Sequence, residues 1–369
     1  MIVAAIKTAV RNLMEPNVSE ANSSLGAGVD SILLEWMNEA DTIVWAAADW
    51  YWKRKSYRWT LANTVIAQSS SSTTAYPTSI AGMRVGDRVY LREGSNYEER
   101  EITAITPGSP NSITLDSALT NTYSTSGYVS MLQYQIPWDV RKVLDLRVET
   151  TGKESDVAYI DYDKFKEDTV FVKTIGKPTK YMFSGVFNTV QPSTGSLTAD
   201  ATSSTSQIVD SALTGHENDY YKYWKAVSLT TAQEGFARVS AYTYSGKIIS
   251  LDRLIASFAS GSTYKLIRDL KQLRLDRIPD DVYKMVMEYW RTRSPLVNEY
   301  DEPDWGAEAE EFHDLLKYYC LAKWMRPKQQ SGELDLSDFN TRLEVMKEQL
   351  FRPDDDGKIE VVLYDESWK

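Results

Sequence analysis

One cysteine, Cys320, and two histidines, His216 and His313, are all that 369 residues hold of the side chains that most often bind zinc. A lone cysteine excludes an internal disulfide framework and a multi-cysteine zinc site, and Cys320 reads as a small apolar residue of a helix. The two histidines are far apart and neither belongs to His-Glu-x-x-His; His313, beside Asp314, reads as a structural residue. No run of about 18 apolar residues occurs. Met1 to Met14 carries Lys7 and Arg11 inside its apolar stripe, unlike the uninterrupted core of a signal peptide, so a soluble chain made in a cytoplasm, with no membrane partner, is expected.

Catalytic motifs are equally scarce. There is no Gly-x-Ser-x-Gly elbow and no Gly-x-Gly-x-x-Gly after a strand, and Gly246-Lys247 precedes Ile248 without the upstream glycine of a phosphate loop. Asp354-Asp355-Asp356-Gly357 lacks the alternating ligands and closing glutamate of a calcium loop and reads as a solvated turn. Neighbouring acids such as Glu310 and Glu311 suit an acidic helix better than a glycosidase pair. The expectation is a structural protein, not an enzyme, with no cofactor, no metal and no catalytic residues.

What is present is an ordinary globular composition, 42% hydrophobic and 25% charged, long enough for two or three domains. From Glu299 to Lys369 stand 19 acidic against 9 basic residues, so nearly all of the net charge of −11 falls there. Phosphate contacts need clustered Lys and Arg, so DNA would slide past such a chain rather than bind it.

Helical periodicity marks both ends. Ile2, Ala5, Ile6 and Val10 form a short stripe, and Ser31 to Trp50 carries Leu34, Met37, Ile43, Val44 and Ala47 at helical spacing. Val282, Met285, Val286, Tyr289 and Trp290 predict another helix, begun by Ile278-Pro279-Asp280-Asp281. Ala307 to Met325 and Asp335 to Leu350 complete the set. Between the ends the period is two and Ser and Thr abound.

Two stretches of that middle resemble each other. Ile102-Thr103-Ala104-Ile105-Thr106, Ile113-Thr114-Leu115-Asp116 and Tyr128-Val129 match in order Val239-Ser240-Ala241-Tyr242-Thr243, Ile249-Ser250-Leu251-Asp252 and Tyr264-Lys265-Leu266. Each is preceded by a Ser/Thr tract, Ser69 to Thr74 or Thr202 to Ser206. The shared Asp-Ser-Ala-Leu-Thr at Asp116 and Asp210 falls in different phases and reads as chance. The expected fold is α+β: a discontinuous helical frame packed on a small antiparallel sheet, with two inserted, mutually similar small β barrels or sandwiches. In segments this gives a first frame part (1–63), β module 1 (64–132), frame strands near Val143 to Val148 and a strand pair around Tyr181 to Val190 (133–194), β module 2 (195–267), and a second frame part (268–369).

Aromatic residues crowd the frame, and Trp36, Trp45, Trp50, Trp52, Trp290 and Trp305 are candidates for its core or for subunit contacts; a sugar-stacking face is the alternative. Lys53-Arg54-Lys55 with Arg58, and Arg268, Lys271, Arg274 and Arg277, read as polar strand faces, some of them available to an acidic neighbouring subunit. Lys358, Ile359, Val361, Val362, Leu363 and Tyr364 form a strand-like tail with no local partner. It would complete a sheet either in another chain or in its own frame.

With the modules excised, the frame resembles the head-to-tail adaptor, or connector, proteins of tailed bacteriophages. The resemblance is carried by Leu34-Glu35-Trp36-Met37-Asn38-Glu39-Ala40 through Asp49-Trp50-Tyr51-Trp52, by Ser56-Tyr57-Arg58-Trp59-Thr60 and by Gln135-Ile136-Pro137-Trp138-Asp139-Val140-Arg141-Lys142-Val143. Gly176-Lys177-Pro178-Thr179-Lys180-Tyr181 and Arg291 to Trp305 continue it, about half the chain in all. It implies a virion neck or tail component assembled in the host cytoplasm, a homo-oligomeric ring of about twelve subunits between portal protein and downstream tail or nozzle proteins, with tail fibres as further partners. Double-stranded DNA would pass through its lumen without sequence-specific binding. A tail-tube or nozzle protein and a glycan-binding or depolymerising tail protein are the competing expectations.

Overall fold

A computed structural model describes residues 3–14, 28–131, 133–150, 153–161, 163–164, 174–192, 195–200, 203–204, 206–229, 236–252, 260–297, 301–326, 336–350, 352–353 and 359–360. The fold is mixed α+β, with four α-helices of three turns or more among the described residues and several mainly antiparallel sheets. It divides into two compact units, residues 1–55 with 290–369, and residues 56–289.

The first unit is helical: α1 (Val3–Met14), α2 (Gly28–Ala47), α3 (Asp314–Met325) and α4 (Ser337–Leu350). Val3, Ile6 and Val10 share one face of α1, and Leu33, Met37, Ala40 and Val44 one face of α2; both sets are buried with Phe312, Leu315, Leu316, Phe339, Leu343 and Met346. The two chain parts are tied by Val3 N–H donating to Asp301 O at 3.1 Å. Asp41, fully buried on α2, pairs with Arg293 and accepts Trp305 Nε1–H at 2.8 Å. Helix α2 stops at Ala47, short of the expected Trp50, because Trp50 folds back and its indole N–H donates to Val44 O at 2.6 Å, satisfying an open carbonyl of the last turn.

In the second unit, β1 (Arg54–Thr60) leads into a closed barrel of β2 (Asn63–Ser71), β3 (Thr74–Pro77), β4 (Arg88–Glu93), β5 (Asn96–Thr106), β6 (Ser112–Leu115) and β7 (Tyr128–Met131), ordered β2-β3-β6-β5-β4-β7. Next come β8 (Gln133–Gln135), β9 (Val140–Thr150), β10 (Lys153–Asp156), β11 (Ala158–Tyr159) and β12 (Lys180–Val186). The following strands are β13 (Thr189–Gln191), β14 (Leu197–Thr198), β15 (Gln207–Val209), β16 (Lys225–Ser228), β17 (Phe236–Thr243), β18 (Ile248–Leu251) and β19 (Thr263–Arg268). They form a sheet ordered β13-β19-β16-β17-β18-β15, with β14 also beside β19. Strands β20 (Lys271–Leu275) and β21 (Lys284–Arg291) close two four-stranded sheets, β11-β12-β20-β8 and β1-β21-β9-β10.

The pairings β3–β6, β6–β5, β5–β4, β4–β7 and β7–β2 of the barrel recur as β15–β18, β18–β17, β17–β16, β16–β19 and β19–β14. Where the barrel has a β2–β3 ladder, the later sheet has Asp200 N–H donating to Val209 O and Ser204 N–H to Gln207 O. Fine detail recurs as well. Strand β5 bulges between Ile102 and Ala104, and β17 between Val239 and Ala241. Asp116 N–H donates to Glu101 O while its carboxylate takes Glu101 N–H, and Asp252 does the same with Arg238.

The helix expected from Ile278 to Trp290 is instead strand β21, central in its sheet and buried at Met285, Val286, Met287 and Tyr289. A strand buried on both faces loses its alternation, and its apolar run then matches a helical spacing by accident. Tyr181 and Val190 belong to β12 and β13, which pair with β20 and β19, not with one another. The 133–194 segment falls in the unit that holds the barrel. Of the tail, Ile359–Glu360 pairs antiparallel with Arg352–Pro353, so this stretch does have a local partner. Lys358, Val361, Val362, Leu363 and Tyr364 lie outside the described residues, as does the Asp354 to Gly357 turn.

Candidate functional site

Two turns with unrelated side chains share one backbone path. Before β4, Met83 N–H donates to Ile80 O, Asp87 N–H to Arg84 O and Gly86 N–H to Ile102 O; before β16, Tyr220 N–H donates to Glu217 O, Trp224 N–H to Tyr221 O and Tyr223 N–H to Val239 O. Positive φ falls at Gly82 and Gly86 in the first, at Asp219 and Tyr223 in the second. In sequence, Ile-Ala-Gly-Met-Arg-Val-Gly-Asp and Glu-Asn-Asp-Tyr-Tyr-Lys-Tyr-Trp share no residue.

These turns meet face to face. The Glu217 carboxylate takes Gly82 N–H on both oxygens, at 3.0 and 3.1 Å. Arg84 donates Nε–H to Tyr220 O at 2.8 Å and lies 3.8 Å from Glu217, while Val85 N–H donates to the Tyr220 hydroxyl. His216 Nε2 is 3.1 Å from Ile80 O. A carbonyl only accepts, so that nitrogen carries the proton, and burial lowers the imidazole pKa and keeps it neutral.

Behind the turns lies a buried polar cluster. Arg268, at the end of β19, is 2.6 Å from Asp87 and stacks over Phe187 with its guanidinium 3.6 Å from the ring centre. Its Nε–H donates to Gln135 Oε1 at 3.0 Å, which also receives Trp224 Nε1–H at 3.4 Å. Both donors are obligate, so the amide orientation of Gln135 is fixed and its NH2 group is left unspent among the described residues.

In front of the cluster a cleft of 420 Å³ opens, bounded by Tyr57, Trp59, Met83, Met131 and Tyr134 on its apolar side and by Asn63, Arg84, Gln135, Glu217, Asn218 and Arg268 on its polar side. Tyr57 and Trp59 point to one face of β1, as residues two apart on a strand must, and their rings stack at 5.2 Å and 21°. Tyr223 meets Tyr57 edge-on at 5.9 Å and Tyr134 stands 6.5 Å from Trp59, which extends the wall at both ends. Burial raises the pKa of both Tyr57 and Tyr134, so neither phenol ionises near neutrality.

No known protein-family model matches this chain, nor does any curated protein sequence.

The tryptophans singled out in the sequence lie elsewhere. Trp45, Trp50, Trp52 and Trp305 are buried in the helical unit, where Trp50 and Trp52 stack at 4.8 Å; Trp36 and Trp290 are half-buried there. The basic runs conform in part to a polar strand face: Arg54, Lys55 and Arg58 are exposed on β1 and Lys271 is exposed on β20, donating to Val140 O at 2.6 Å. Arg268 and Lys53 are buried instead, and Arg274 lies 3.9 Å from Glu99. His313 is buried against Trp305 and its pKa falls to about 4, by desolvation first. Among the described residues no three His, Cys, Asp or Glu side chains converge as a metal site, and no described helix is long and apolar enough to cross a membrane. Sequence reasoning missed the meeting of the two turns, because their likeness is one of backbone alone. Gln135 was visible only as part of a family resemblance, and Trp59 both there and among the aromatic residues that crowd the first frame part.

Proposed function

We propose that this chain is a structural virion protein, a head-to-tail adaptor that forms a ring of about twelve subunits between portal and tail with DNA passing through the lumen. The observation that carries the reading is the division of the chain. Residues 1–55 and 290–369 build one helical unit, and everything from 56 to 289 folds as a separate, β-rich unit. A short helical adaptor bearing a long β insertion would have this organisation. In this reading the β insertion holds two copies of one module, supported by the shared strand order, the matching bulges and the matching turns, and the copies decorate the ring without building it.

The acidic surface fits passage of DNA. Glu302, Glu308, Glu310, Glu311, Asp338, Glu344 and Glu348 are all exposed in the helical unit. A wall of that sign discourages phosphate contacts. Solution mass and negative-stain images, taken over a range of protein concentrations, separate the assemblies. An adaptor gives closed rings, whereas a tube or nozzle protein stacks into open polymers, and open polymers would overturn the proposal.

A further inference from the structure

The cleft before the two meeting turns is built like a binding site. Its apolar side is an aromatic wall, Tyr57 stacked on Trp59 with Tyr134 beyond. Its polar side is preset. Glu217 is held by Gly82 N–H and by Arg84, and Gln135, 7% exposed, is held by Arg268 and Trp224 with its NH2 group unspent. Fixed polar groups beside an aromatic surface lower the ordering cost of binding and set ligand orientation.

The charges decide the ligand class. Each arginine lining the cleft has its own acid, Arg84 with Glu217 at 3.8 Å and Arg268 with Asp87 at 2.6 Å. No surplus positive charge is left to attract a phosphate or a carboxylate. What remains is an acceptor carboxylate, the amides of Gln135, Asn63 and Asn218 and an aromatic wall, a set that matches a ring with an apolar C–H face and a hydroxyl edge. We propose that this cleft binds a neutral saccharide, its pyranose C–H face against Tyr57 and Trp59 and its hydroxyls on the Gln135 amide and the Glu217 carboxylate. The proposal does not rest on the ring reading and stands or falls separately from it.

The test uses the full chain on an array of neutral and anionic glycans, with hits titrated by tryptophan fluorescence and by saturation-transfer NMR. Neutral glycans bind, and a soluble neutral hit shows saturation transfer. Gln135→Glu keeps the acceptor that Arg268 and Trp224 need but removes both amide donors, and it weakens binding by about fivefold or more. Trp59→Ala, at a half-exposed position, abolishes it while thermal melting shows the chain still folded. Should Gln135→Glu fail to fold, Trp59→Ala with the wild-type NMR contacts gives the reading. The proposal is overturned by no neutral glycan binding at tens of millimolar, by binding of anionic glycans alone, or by affinity that Trp59→Ala leaves unchanged.

Discussion

Arg268 and Asp87, 2.6 Å apart and both fully buried, join the last strand of one β sheet to the first residue before β4 of the barrel. Burial works against both charges, raising the pKa of Asp87 and lowering that of Arg268, and each is charged because the other is. Removing one partner leaves the other uncompensated, so Asp87→Asn or Arg268→Met is expected to cost about 3–5 kcal/mol. The double replacement Asp87→Leu with Arg268→Met costs much less than the sum. Urea unfolding of the four proteins as a double-mutant cycle measures this; additive losses would contradict it.

Gly86 and Gly82 are both at positive φ, but their surroundings differ. A Cβ on Gly86 would lie 2.3 Å from Thr189 Oγ1, whereas nothing stands within 4 Å of one on Gly82. Gly82→Ala therefore carries backbone strain alone, on the order of 1 kcal/mol, and Gly86→Ala adds displacement of Thr189 where β13 begins. The ordering Gly86→Ala worse than Gly82→Ala is the outcome to look for in denaturation midpoints.

Glu98 supplies an acid-sensitive lock inside the barrel. Burial raises its pKa, but Thr120 N–H at 2.8 Å, Asn121 N–H at 2.7 Å and the Asn121 amide, with Arg100 beside it, outweigh that and leave it below the ordinary 4.5. A depressed carboxylate contributes stability that is complete above the unfolded value and is lost as pH falls through the folded one. Acid unfolding followed below pH 4.5 should therefore flatten in Glu98→Gln, which is also less stable at neutral pH by about 1–3 kcal/mol.

His313 acts in the same direction, through burial that disfavours its charged form. Its unfolded form takes a proton near 6.5, while the buried imidazole resists until about 4. Between those values the unfolded chain binds more protons, so the stability of the helical unit declines as pH falls. NMR titration of His313 should give a midpoint near 4, and His313→Gln should remove its share of the slope. A midpoint near 6.5 would contradict the burial seen here.

The sequence revealed those parts where side-chain pattern and backbone agree. The barrel from Asn63 to Met131 was legible because period-two strands alternate with Ser, Thr and Gly turns, and helices α1, α2 and α4 because one face of each is apolar. Strand β21 was not, since a strand buried on both faces carries no alternation. Nor was the cleft: Tyr57, Trp59, Gln135 and Glu217 come from three distant stretches of the chain. The turn that places Glu217 resembles the one at Gly82 only in hydrogen bonding and φ. Arg268 read as a surface residue because its partner, Asp87, is so remote in sequence.

On the proposed adaptor reading the partner is a portal ring, and mixing the purified chain with rings of the portal protein encoded in the same genome, and measuring the mass of the resulting particles, tests that reading most directly. The account predicts a discrete complex in which about twelve copies add to each portal ring as one closed layer, visible as such in averaged images. Portal rings whose mass is unchanged at saturating concentrations of the chain would contradict it.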